Sequence, residues 1–143
     1  MPGEFAGGQF DVTKLEAIEI ETATGVESPS NIIDYGENFY LQATFEGKGT
    51  AWPNLTGGTY VAKFYAEGMG PSVPDQDFGT VKGPMTGKSK YTVKSPVNNI
   101  TTEGLYRCGV TVSFRKADGT PFYGVLGYNE DCVIQIGIAE EIE

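Results

Sequence analysis

No histidine occurs anywhere in the 143 residues. That removes the commonest general base, a frequent metal ligand and the usual Ser/His and Cys/His nucleophile pairs. Two cysteines without histidine leave only scattered carboxylates to complete a tetrahedral zinc site, so zinc is not expected. No glycine-rich loop followed by Lys-Ser or Lys-Thr opens a helix, which excludes a phosphate-cradling P-loop. Positive charge is also scarce: ten Lys and Arg face nineteen Asp and Glu, a formal charge of −9. Nucleic acids and anionic lipid surfaces draw affinity from clustered basic residues, so neither is an expected partner. The one basic cluster, Lys82 to Lys94, reads as a solvated strand edge, where lysine discourages strand-to-strand association.

Apolar runs are short, well under the roughly 20 residues that span a bilayer. Met1 to Phe10 shows no charged segment followed by an apolar one, so no secretory signal is expected there. Localisation is left open, with a surface or virion-associated protein among the expectations. Twenty glycines and eight prolines lie along the chain without strict period, which fits many turns and excludes collagen.

What is present is alternation with period two. Phe39, Leu41, Ala43 and Phe45 form one apolar row, opposed by Tyr40, Gln42 and Thr44. Tyr60 to Ala66 alternates likewise. Tyr106, Cys108, Val110, Val112 and Phe114 form a third row, and Cys132, Ile134, Ile136 and Ile138 a fourth. Rows rich in β-branched and aromatic residues predict strands with one buried face. Leu15 to Thr22 and Lys90 to Lys94 add two weaker strands. Thr13 and Glu16 sit at capping-box spacing, but Ile18-Glu19-Ile20-Glu21 favours a strand over a helix. Breakers fall between the runs, at Gly47-Lys48-Gly49, Gly57-Gly58 and Gly68-Met69-Gly70-Pro71. Asp118-Gly119 predicts a two-residue hairpin turn.

These elements predict an all-β fold: a single antiparallel β-sandwich of about seven strands, spanning residues 13–139. An N-terminal arm, 1–12, and an acidic tail, 140–143, flank it as candidates for docking onto neighbours.

Glu103-Gly104-Leu105-Tyr106-Arg107-Cys108 resembles the acidic-Gly-x-Tyr-x-Cys stretch of immunoglobulin-type sandwiches. The resemblance implies that Tyr106 is a corner tyrosine bonded to backbone upstream and that Cys108 faces the core. Antibody-type domains carry a second Cys on an earlier strand beneath a Trp. Here Leu41, Ala43 and Phe45 occupy that strand, Trp52 sits in a Gly- and Pro-flanked turn, and the second cysteine, Cys132, lies downstream. The chain is therefore similar to the broader immunoglobulin-like and fibronectin type III-like sandwiches.

A two-residue turn at Asp118-Gly119 sets Cys108 opposite Asn129 and Cys132 opposite Leu105. A disulfide between the cysteines then needs a bulge or turn within 127–131 to bring their Cα atoms within about 7 Å. The alternative is two buried free thiols acting as small hydrophobes. A bonded pair implies an oxidising compartment.

Three candidate sites remain. Asp75 and Asp77, in Pro74-Asp75-Gln76-Asp77-Phe78-Gly79, place alternate carboxylates in a loop, a donor set suited to calcium; solvated turn chemistry is the competing reading. Trp52, with Tyr65 and other tyrosines (Tyr35, Tyr40, Tyr123, Tyr128), forms either an exposed aromatic platform for sugar rings or protein partners, or a plug over one end of the core. Asn54-Leu55-Thr56 and Asn99-Ile100-Thr101 match the N-glycosylation pattern.

The expected function is a non-enzymatic structural or protein-interaction module, a subunit or decoration domain of a larger surface or viral assembly. Protein partners or self-association would follow. The competing expectation is a carbohydrate-binding domain built around Trp52. No cofactor is expected beyond the calcium candidate.

Overall fold

The computed structural model describes residues 2–5, 8–49 and 52–137. The acidic tail and Ile138 lie outside the described residues. Eleven strands form: β1 (Pro2–Phe5), β2 (Gly8–Ile20), β3 (Glu27–Pro29), β4 (Ile32–Asp34), β5 (Asn38–Lys48), β6 (Thr59–Met69), β7 (Gln76–Pro84), β8 (Lys90–Lys94), β9 (Asn98–Asn99), β10 (Gly104–Arg115) and β11 (Pro121–Gly137). Seven of these have five residues or more, matching the strand number read from the sequence. One sheet runs β1-β2-β5-β8, with β3 also on β2 and β9 on β5. The other runs β4-β11-β10-β6-β7. The fold is an immunoglobulin-like β-sandwich.

The alternating rows become its interior. Phe39, Leu41, Ala43 and Phe45 of β5 are fully buried, and so are Tyr106, Cys108, Val110 and Val112 of β10. Burying such rows from two sheets against each other is the main stabilising term of a sandwich. Phe45 and Phe114 face one another edge to face, with ring centroids 5.9 Å apart. The tyrosine corner is formed: the Tyr106 hydroxyl donates to the Thr102 carbonyl oxygen at 2.7 Å. Tyr106→Phe should therefore lower stability by about 1 kcal/mol, the net worth of one buried hydrogen bond, in urea titration.

Four features differ from the sequence reading. Pairing is not wholly antiparallel, because β4 runs parallel to the end of β11, with Ile33 opposite Ile136. Residues 8–12, read as part of an arm, begin β2, and Phe10 and Val12 are core residues. Residues 74–79 read as an acidic loop, but from Gln76 the chain extends as β7 because β6 supplies a ladder from Thr59 to Ala66.

The fourth difference is the β10–β11 turn. Lys116 N–H donates to Thr120 O and Gly119 N–H to Lys116 O, which closes a three-residue loop over Ala117, Asp118 and Gly119. Gly119 has φ +87°, the left-handed geometry that a three-residue hairpin with a bulge requires. Asp118 Oδ1 accepts from both Thr120 N–H and Thr120 Oγ1, which fixes the loop and draws its carboxyl below the usual range. Further register shifts follow, between Ser113 and Arg115 and between Cys108 and Val110. As a result Cys108 lies directly opposite Cys132, and both side chains are buried.

Candidate functional site

The outer face of the five-stranded sheet gathers three of the candidate residues. Tyr65 of β6 is opposite Asp77 of β7 on one side and Gly109 of β10 on the other. The bulge near Gly109 leaves Glu130 and Asp131 of β11 facing that single glycine, an arrangement that turns neighbouring side chains toward one face. Glycine here is required by close approach: a Cβ at position 109 would lie 2.4 Å from the Tyr65 ring carbon Cζ. The phenol therefore crosses β10 and hydrogen-bonds the Glu130 carboxylate. Desolvation, with the charge and hydrogen bond of Glu130, pushes the Tyr65 hydroxyl up to about 12.

Around it lies a shallow cleft of about 640 Å³ lined by Lys63, Tyr65, Glu67, Asp75, Gln76, Asp77, Thr111 and Glu130. Two of its carboxylates are tied to backbone. Asp75 Oδ1 accepts from Gly68 N–H at 3.0 Å, and Asp77 Oδ1 from Gly79 N–H at 2.9 Å. Among the described residues no group of three or more acidic or cysteine side chains converges to hold a metal ion. Asp75 holds the β6–β7 connection and Asp77 a bulge in β7, both beside Tyr65.

Trp52 is placed elsewhere, and the exposed-platform reading of it is corrected. It sits in a 3-10 turn, Trp52–Leu55, at the opposite sheet's end and is only 4% exposed. Its Nε1–H donates to the Lys88 carbonyl oxygen at 2.8 Å, and its ring packs on Phe10 and Phe114. An indole enclosed in this way cannot stack on a sugar; it is the core plug. Tyr40 is likewise engaged, its hydroxyl donating to Glu27 Oε1 at 2.5 Å. Asn99, of the second glycosylation match, is exposed, and its side-chain amide donates to Gly36 O and Asn38 Oδ1.

The sequence reading missed the apolar part of this same face. Ile32, Met69, Leu105 and Val133 are 58%, 41%, 44% and 38% exposed. Register aligns them: Ile32 is opposite Gln135, Gln135 opposite Leu105, and Leu105 opposite Met69, with Val133 one step along β11. Their signal was present as apolar residues in the outward rows of β10 and β11, but cross-strand register was needed to join them. The next row carries Arg107 and Glu67, so the apolar strip borders the acidic cleft.

No family model matches the chain, and no curated protein matches it. The chain superposes on several solved structures. The CARDB domain of the PF1109 protein from Pyrococcus furiosus, in complex with di-metal ions, superposes with TM-score 0.50 at 9% identity, covering 94% of this chain and 98% of that one. A β-glucosidase from Listeria innocua in complex with glucose gives 0.46 at 12% identity; 91% of this chain is covered but only 16% of the glucosidase. The PmoD soluble domain from a Methylocystis species gives 0.39 at 11% identity, covering 86% and 90%. At 9% identity the likeness to the CARDB domain is one of fold.

Proposed function

We propose that this domain is a non-enzymatic interaction module, a subunit or decoration domain of a larger surface or viral assembly. Its partner would dock on the outer face of the five-stranded sheet. The observation that carries this reading is the exposed apolar strip of Ile32, Met69, Leu105 and Val133 beside the acidic Tyr65 cleft. Contiguous apolar side chains rimmed by charge are what protein contacts bury. The engagement of Glu130, Asp75 and Asp77 in holding the face favours recognition over proton transfer.

The test is a double substitution, Leu105→Glu with Val133→Glu, in the native assembly or self-associated state. Association should weaken by at least about tenfold, as for removal of a modest hot spot, with circular dichroism unchanged. An unchanged native mass by light scattering would remove this face as the contact.

The cleft itself favours a second reading, carbohydrate binding, because one aromatic ring stands among hydroxyl, amide and carboxylate groups. In that case Tyr65→Ala abolishes retention on a glycan array, whereas an array without hits for the native domain retires the idea.

A further inference from the structure

We propose that Cys108 and Cys132 are joined by a cross-strand disulfide installed as the chain folds, which locks the bulged β10–β11 pair beneath the outer face. The two residues are direct partners in an antiparallel ladder. Opposed residues in such a ladder have Cα atoms about 4.5–5.5 Å apart, inside the window of about 4.4–6.8 Å that a disulfide needs. Both side chains lie on the inward face, so their Cβ vectors run side by side. They are the two cysteines of these 143 residues, so neither has a competing partner within them.

The register shift between Cys108 and Val110 is what brings them together. The bulge that presents Glu130 to Tyr65 thereby also sets Cys132 opposite Cys108. One irregularity serves the outer site and the inner thiol pair, and a covalent bond at Cys132 would hold it against slippage.

The chemistry requires an oxidant, here a small-molecule disulfide such as oxidised glutathione. Cys132 as thiolate attacks one sulfur of that disulfide, expelling a thiolate and leaving a mixed disulfide. Cys108, on losing its proton, attacks the Cys132 sulfur and expels the second thiolate. Two protein S–H bonds are replaced by one S–S bond, and the oxidant is reduced to two thiols. Cys108 is fully buried and Cys132 only 4% exposed, so exchange proceeds before the sandwich closes; the same balance holds with the two cysteines exchanged.

The experiment uses the whole chain. Reduced, unfolded protein is refolded with oxidised and reduced glutathione, unfolded again without reductant, alkylated with iodoacetamide and weighed intact. The expected product is a monomer lighter by two hydrogens than the reduced chain, bearing no alkyl group. Reductant before alkylation should restore two adducts. The oxidised form should melt about 10 °C above the reduced form, the gain expected for closing a hairpin loop of this length. Two alkyl adducts after oxidative refolding, or intermolecular dimers as the sole oxidised species, would overturn the proposal. So would a melting temperature at or below that of the reduced protein.

Discussion

Replacing Trp52 with alanine should lower the unfolding free energy by about 3–5 kcal/mol, the range for deleting a fully enclosed large aromatic. The indole is the meeting point of two sheets. It stacks on Phe10 of β2 at 6.3 Å, meets Phe114 of β10 edge-on at 5.8 Å, and hydrogen-bonds the Lys88 carbonyl oxygen. β5 passes beneath it at Gly47, where a Cβ would lie 2.1 Å from the indole carbon Cδ2. Truncation leaves a cavity lined by rigid aromatic and backbone atoms, which collapse poorly. Urea titration followed by far-ultraviolet circular dichroism measures the loss, since the variant lacks the only tryptophan. Gly47→Ala supplies the internal control. Alone it should destabilise by about 1–3 kcal/mol through overpacking, and much of that cost should vanish in the Trp52→Ala background. A Trp52→Ala variant within about 1 kcal/mol of the parent would mean that the plug is loosely seated.

Trp52 also shows where local sequence stops being informative. Its neighbours, Thr50, Ala51 and Pro53, read as a turn, and Trp52–Leu55 forms a 3-10 turn, yet turn chemistry says nothing about which way a side chain points. The decision rests with Phe10, Gly47, Lys88 and Phe114, all distant in sequence. The same holds for β7: Asp77 and Gly79 weigh against a strand, and the ladder to β6 overrides them. By contrast, β5 and β10 were legible because large apolar residues recur at every second position whatever their partners, although Tyr40 and Thr44 between them are buried as well. Tyr106 was legible for another reason, since its hydroxyl partner, Thr102, lies four residues away.

Cross-strand register was the least legible quantity, and the candidate site depends on it. Reading Asp118-Gly119 as a two-residue turn set Cys108 against Asn129. The observed loop is one residue longer, and two later shifts move the pairing again. Each shift depends on how β11 fits against β2 of the other sheet, which periodicity within one strand cannot report. Tyr65 and Asp77 were each singled out from the chain, but their adjacency, and the presence of Glu130, follow only from the bulged pairing.

That crossing of β11 over β2 yields the second large effect. Asn129→Leu should destabilise the domain by about 2–4 kcal/mol, because it leaves the buried Val12 carbonyl without a partner at about 1–3 kcal/mol and removes the half-buried Asp131 N–H bond, worth about 1 kcal/mol. Asn129 is a buried polar residue, 6% exposed. Its Nδ2 donates to the Val12 carbonyl oxygen at 2.9 Å, and its Oδ1 accepts from Asp131 N–H at 2.9 Å. Val12 belongs to one sheet and Asn129 to the other, so a single amide joins the two layers where their edges meet. Val12 lies at a register shift in β2, between Val12 and Lys14. On one side of Asn129, Gly127 lets Phe10 approach, a Cβ there lying 2.6 Å from the ring. On the other, Cys132 contacts the Ala17 backbone. The leucine variant keeps the number of side-chain heavy atoms but loses both hydrogen bonds, so the measured loss combines the polar contribution of the seam with the bulk of two methyl groups. Because Asp131 N–H lies in the bulge that carries Glu130, hydrogen exchange at 128–133 should speed up as well. A stability loss below about 1 kcal/mol with unchanged exchange would show that Phe10 and Gly127 hold the seam by packing alone.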